Sequence, residues 1–249
     1  MMGWKTRSAS GMCRSACTES NVRCFPPRYN LPPHSVYDLI ALMASPLTKS
    51  QIRRQFDRAR RSMDPETVRR LSEQIAQHAA EVPAIRTAST LHTYWPITDQ
   101  NEVDTRPLID DLRERGVAIV LPVVTSFEAG TPEMTHRRFT GRASLQTNTW
   151  GIPEPVKGDP VSLASIDAVV VPALGAGLNG HRIGHGWGYY DAFLAKLSPD
   201  IPRIVLAFDA CVRPDVPHES HDVPVDVIVT ETGAHRVSTA ASPAGMEAE

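Results

Sequence analysis

The chain has 249 residues, 41% hydrophobic and 22% charged, with a formal net charge of -2. These values suit one sizeable soluble domain, or two small ones, and give no global attraction to nucleic acid or to an anionic membrane. No apolar run approaches the ~20 residues needed to span a bilayer, so neither partner is expected.

Residues 1–45 stand apart from the rest. They carry Ser, Arg, Cys, Pro and Asn without sustained periodicity and lack the apolar core of a secretory signal, so they are expected to be poorly ordered. Few acidic residues would suit a transit peptide, but Pro26, Pro27, Pro32 and Pro33 interrupt any continuous amphipathic helix. The segment beginning at Met43 reads as a natural translation start. Of the four cysteines, Cys13, Cys17, Cys24 and Cys211, none forms a C-x-x-C pair with a completing histidine set. They read as reduced thiols of a cytoplasmic protein rather than a zinc site.

From Thr48 the texture becomes helical, with Ile52 and Phe56 on one face and a cluster of arginines read as a solvated surface. With Lys49, some of those arginines are alternatively an anion site. Asp64 followed by Pro65 marks a helix start, as N-cap and first helical position. Val68, Leu71, Ile75, Ala79 and Val82 then form one buried stripe, closed by Pro83.

An alternation of strands and helices follows. Strands are predicted at residues 89–95 and 117–124, separated by a helix over 105–115. A more exposed strand is expected at 134–139 and a tight, proline-bounded loop at 150–155. Further strands fall at 168–171, 203–208 and 225–229. This order predicts an α/β fold: a mostly parallel sheet with helices on both faces, forming a single three-layer domain over 46–240. Residues 241–249 are expected to be a disordered tail. Ligands of such sheets bind at the carboxyl ends of the strands, so the loops after residues 95, 124 and 171 should share one crevice.

Residues 172–191, PALGAGLNGHRIGHGWGYYD, join a buried strand to an aromatic helix through six glycines. Bare N–H groups at a helix start suit an anion such as phosphate; Arg182 adds a bidentate donor, and Asp191 could hold the Mg²⁺ of a nucleotide. The Walker pattern is absent, for no Gly-Lys pair occurs. Gly175, Gly177 and Gly180 match GxGxxG, but late in the chain and without the acidic residue expected about 20 positions on.

The run at Gly180, Arg182, Ile183, Gly184, Gly186, Gly188, Tyr189, Tyr190 and Asp191 resembles the signature of the 5-formyltetrahydrofolate cyclo-ligase family. Three further pieces stand in that family's order: Lys49, Ile52 and Arg53 early; Glu102 to Thr105 after the first strand; and the G-I-P-E-P turn at 151–155, with His221 and Asp222 ahead of a last strand. The resemblance covers residues 47–237. Gly177 stands where members commonly carry Asp, and Trp187 where Gly or Lys is usual.

The resemblance implies an ATP- and Mg²⁺-dependent ligase that closes 5-formyltetrahydrofolate to the 5,10-methenyl form. ATP contacts would come from Lys49, Arg53, Gly180, His181, Arg182, Ile183, Gly184, His185, Gly186, Trp187 and Gly188. Asp191 and Asp222 would hold the metal, and Tyr94, Glu102, Trp150, Tyr189 and Tyr190 the folate. Two other readings stay open: a non-catalytic relative that binds folate or nucleotide, and a sugar-phosphate isomerase or acyl-CoA transferase on a similar fold. Oligomeric state is not legible.

Overall fold

A computed structural model describes residues 46–126, 128 and 131–237. The expected N-terminal extension and the 241–249 tail lie outside the described residues.

Helix α1 (Lys49–Arg61) starts at Thr48, whose hydroxyl accepts from the Gln51 N–H while the Gln51 side chain bonds back to Thr48, a reciprocal capping box. Its inward face carries Ile52, Phe56 and Arg60. The solvated-face expectation for the arginines therefore fails at Arg60, which is only 2% exposed. Helix α2 (Pro65–Glu81) is capped by Asp64, as expected, and buries Ile75, Ala76 and Ala79. Pro83 closes it but also opens the short α3 (Pro83–Arg86), because a proline suits a first helical position as well as it ends a preceding helix.

Strand β1 (Thr90–His92), helix α4 (Arg106–Glu114) and β2 (Ala118–Ser126) form a right-sized parallel crossover; β3 (Glu133–Arg138) then returns antiparallel along β2. Residues 150–155, expected as a loop, contribute β5 (Pro153–Pro155), which pairs with β4 (Leu145–Thr147) in a small hairpin. Strand β6 (Ala168–Val171) leads into a second departure. The glycine run is not one loop: β7 (Gly175–Gly177) and β8 (Arg182–Ile183) pair with each other, and β7 also pairs with β10 (Val212–Arg213). The backbones approach closely. A Cβ on Gly175 would stand 2.2 Å from the Cys211 carbonyl oxygen, and one on Gly177 2.8 Å from the Val216 nitrogen. Those glycines serve packing of the small sheet.

Helix α5 (Tyr189–Leu194), β9 (Arg203–Leu206), β11 (Val227–Thr230) and an unanticipated antiparallel strand β12 (Gly233–Arg236) complete the chain. The main sheet runs β12-β11-β9-β6-β1-β2-β3, with parallel pairing from β11 through β2. Its two outermost strands are antiparallel to their neighbours, and the segment at 159–161 bonds along the free side of β3.

Alternation along the central strands divides the core. Ala168, Val170, Ile204, Leu206 and Val229 face α2, α3 and α4 on one side. Val169, Val171, Val205 and Ile228 face α5 on the other. The two layers of helix around one sheet match the expected three-layer α/β architecture. A third, smaller cluster ties Ile52 and Phe56 of α1 to Leu174, Ile183, Cys211 and Val216 of the small sheet. Among the described residues no helix is long and apolar enough to cross a membrane.

Candidate active site

The chain passes from β1 to β2 in one direction along the sheet and later places β6 on β1's other side, so a crevice opens at the strands' carboxyl ends. A cavity of about 450 Å³ occupies it, within the range of small-ligand sites. Of the three loops expected there, those after residues 95 and 171 line it, through Ile97, Gln100 and Glu102 and through Pro172, whereas β2 contributes Pro122 and Val124 from within the strand and the described residues of the loop after it contribute none.

One part of the lining is charged and glycine-rich. Lys49 and Arg53 share a face of α1 at i,i+4 spacing. Arg53 Nε donates to the Gly184 carbonyl at 2.8 Å, and its guanidinium lies within 3.3 Å of where a Gly186 Cβ would stand. Gly186 has φ +97°, a conformation that side-chain-bearing residues resist. Gly184, His185, Gly186, Trp187 and Gly188 all line the cavity, and Gly188 precedes α5.

Arg182 is committed elsewhere. Its side chain is 5% exposed, and it donates to Asp191 Oδ1 and to the Val223 carbonyl, both at 2.9 Å. Asp191 Oδ1 also accepts from the Val223 N–H. Arg182 thus fixes the carboxylate of the first α5 turn, and Asp191 Oδ2 keeps no protein partner among the described residues.

Lys49 Nζ bridges Glu219 at 3.0 Å and Asp222 at 2.5 Å. Burial pulls the Lys49 ammonium down, but the bonds from Asp222 and Glu219 outweigh it and hold it above its ordinary value. Burial likewise pushes the Asp222 carboxyl up, and Lys49 with the Glu219 N–H brings it below the usual carboxylate range. No group of three or more potential metal ligands exists among the described residues. Asp191 and Asp222 both line the cavity, Asp191 with Oδ2 open and Asp222 with Oδ2 held by Lys49 and the Glu219 N–H, so one or two carboxylates, the number a phosphate-bound Mg²⁺ calls for, stand in this wall.

The remaining lining is aromatic around a buried carboxylate. Glu102 is 5% exposed and accepts from the Ile97 N–H at 2.9 Å. Burial pushes its carboxyl up, while the Arg60 charge and the Ile97 bond oppose that rise. Tyr94 donates to the Val103 carbonyl at 3.3 Å. The Tyr190 hydroxyl is buried with no hydrogen-bond partner among the described residues, and burial with the Glu102 charge holds it protonated. Trp150 and Trp187 lie 5.4 Å apart, with Tyr189 edge-on to Trp150 at 5.7 Å. Trp187 is 59% exposed, so a large aromatic stands at the cavity mouth.

Of the residues singled out from sequence, Gly180 and His181 lie outside this lining. Gly180 turns the chain between β7 and β8, and His181 stacks on His218 at 3.7 Å. Ile183 reaches the cavity edge but is buried in the small-sheet cluster. Gly177 is not in the wall, so its lack of a carboxylate removes none from the cavity. Sequence reasoning missed Glu154 and Glu219 as site residues. Glu154 is 7% exposed and accepts from the Val124 N–H at 2.9 Å; its signal lay in the G-I-P-E-P turn, as an acid between two prolines.

A model of the 5-formyltetrahydrofolate cyclo-ligase family matches residues 46–231. The chain is similar to the 5-formyltetrahydrofolate cyclo-ligase of Escherichia coli strain K12, 28% identical over 174 residues, 69% of this chain and 93% of that one. It is also 29% identical to the enzyme of the same name from Mycolicibacterium smegmatis, over 75% of this chain and 95% of that one. The solved structure of Aquifex aeolicus 5,10-methenyltetrahydrofolate synthetase matches with a TM-score of 0.67 and 30% identity, covering 80% of this chain and 98% of its own. By its matched residues, its fold and this likeness, the chain belongs to the 5-formyltetrahydrofolate cyclo-ligase family.

Proposed function

We propose that the chain uses ATP with Mg²⁺ to close 5-formyltetrahydrofolate to 5,10-methenyltetrahydrofolate, releasing ADP and phosphate. The observation that carries this reading is a single cavity lined both by the Lys49, Arg53 and residue 184–188 set and by buried Glu102 among aromatic walls. A polyphosphate suits the first, and a flat ring bearing N–H donors suits the second.

The formyl oxygen of an amide leaves poorly. Taking the terminal phosphoryl group of ATP makes it a good leaving group; N10 then bonds to the formyl carbon, and the oxygen departs as phosphate with loss of the N10 proton. The protein's work in such a reaction is alignment and charge neutralisation. Arg53 would meet phosphate oxygens from beneath the loop, whose N–H groups complete the cradle. Bound Mg²⁺, held by Asp191 and Asp222, would neutralise phosphate charge. Arg182 would keep Asp191 aimed at it, a supporting role in place of the direct phosphate contact its sequence position suggests. Glu102 would accept N–H bonds from the pterin, and Trp150, Trp187 and Tyr189 would cover ring faces.

Following the methenyl product's ultraviolet absorbance with and without ATP tests the reading directly. Absorbance should grow only with ATP present; no growth in its presence would sink the proposal. The loop has its own test. Gly186→Val forces a β-branched residue onto a positive φ with the Arg53 guanidinium 3.2 Å away. ATP affinity should fall at least about tenfold while circular dichroism stays that of the parent. An unchanged ATP affinity would make the loop a mere connector.

A further inference from the structure

Arg60 is the largest of the fully buried side chains, yet it is a cation placed where the helix pattern calls for an apolar residue. Among the described residues its partners are all backbone carbonyls, from two separate segments. Nε donates to Asn101 O at 3.0 Å, Nη2 to Gln100 O at 2.8 Å and Nη1 to Ala173 O at 3.4 Å. Asn101 answers from the other side, its Nδ2 donating to the carbonyls of Arg60 at 2.8 Å and Met63 at 3.0 Å. Asn101 itself sits in the left-handed region at φ 47°, which turns the chain sharply just before Glu102. The turn at 98–102 is therefore tied to the end of α1 and the residues just past it by four hydrogen bonds through two side chains, and Arg60 makes a further one to Ala173.

No carboxylate forms a salt bridge with Arg60 among the described residues. A buried cation without an ion-pair partner is expensive, and a well-packed apolar side chain of the same size would serve stability as well or better. Its charge is felt instead by the Glu102 carboxyl, the residue after Asn101 and the last of the clamped turn. The other titratable groups whose interaction with Glu102 is resolved are the Tyr94 and Tyr190 phenols, both held protonated by burial.

We propose that Arg60 is a positioning residue for the folate half of the cavity: it clamps the 98–102 turn onto α1 so that the Glu102 carboxylate faces the ligand, and it presents a positive charge to that carboxylate. This rests on the reading of Glu102 as the pterin anchor. Arg60 touches neither ligand. It acts through the turn.

The test is calorimetric titration of the full chain with 5-formyltetrahydrofolate and, separately, with ATP, over a pH series of about 5 to 9. Arg60→Met should weaken folate binding about tenfold or more and leave ATP affinity within about twofold. It should also move upward the pH below which folate binding is lost, because a carboxylate without its neighbouring cation protonates more readily. Arg60→Lys restores charge without the planar fork: its pH midpoint should return toward the parent's while its affinity stays intermediate. Should Arg60→Met fail to fold, Arg60→Lys and Asn101→Gly decide, since each weakens the tie between turn and helix; both should lower folate affinity while leaving ATP affinity within about twofold.

Folate binding like the parent's in these folded variants overturns the proposal, as does an equal loss of ATP and folate. Glu102→Gln separates the two layers of the argument. If it binds folate as the parent does, the anchor reading fails and takes this inference with it. If it loses folate while the Arg60 variants do not, only the role of Arg60 falls.

Discussion

Glu102→Gln is expected to lower affinity for 5-formyltetrahydrofolate by one to two decades while leaving ATP affinity nearly unchanged. A hydrogen bond to a charged acceptor contributes about 1.5–3 kcal/mol, and the amide presents a donor where ring N–H groups need an acceptor. Folate binding by the parent should fall away as pH drops through the raised Glu102 pKa, whereas the variant should show no such dependence from this group. The stability signs run opposite to those of a salt-bridged acid. Because burial raises this carboxyl in the folded state, its ionisation costs stability as pH rises from the ordinary carboxyl value through the raised one. At neutral pH the variant should thus melt no lower than the parent despite losing the ligand. A lower melting temperature with intact folate affinity would reverse the assignment and make Glu102 structural.

Arg53→Ala should cut ATP-dependent turnover by about one to two decades at subsaturating ATP, with folate affinity measured without ATP retained. Two losses combine: a cation facing the cavity and the 2.8 Å bond that steadies Gly184. Arg53→Lys should recover only part of the loss, since an ammonium cannot hold the loop carbonyl and meet a phosphate in one plane. Steady-state kinetics in ATP concentration provide the check; a KM for ATP and a turnover within about twofold of the parent would remove Arg53 from the nucleotide half.

The elements that sequence alone revealed are those with a strong local cause. Asp64-Pro65 and the apolar stripe behind it place α2, and the all-apolar run at 168–171 marks a strand buried on both faces. The ordered motifs likewise led to most of the cavity wall. What escaped has causes that sit far along the chain. Arg60 reads as solvated because helical periodicity treats every charge as outward, and its carbonyl partners lie roughly 40 and more than 100 residues away. Gly175 and Gly177 read as loop because a strand there is made by Phe56, Cys211 and Val216 crowding against bare backbone, which no local pattern signals. Arg182 reads as a phosphate contact by its place among glycines; Val223, 41 residues on, supplies the carbonyl and N–H that draw it and Asp191 together. Strand β12 holds only Gly233, Ala234, His235 and Arg236, too short and polar to stand out from its turn.

The antiparallel strands at the two ends of the main sheet bear on how the protein behaves at high concentration. A long parallel sheet ending in bare, apolar strands would offer its unpaired N–H and C=O groups to other copies. Here one rim is β12, four residues long and ending in His235 and Arg236. The other is β3, which carries Glu133, Arg137 and Arg138 and is already bonded by Asp159 and Val161 on either side of Pro160, a residue with no N–H to extend the ladder. The apolar strands that build the crevice are thereby kept inside, and stacking of copies edge to edge is discouraged at both rims. Aggregation, where it occurs, should begin from chains in which one of these rims has come away.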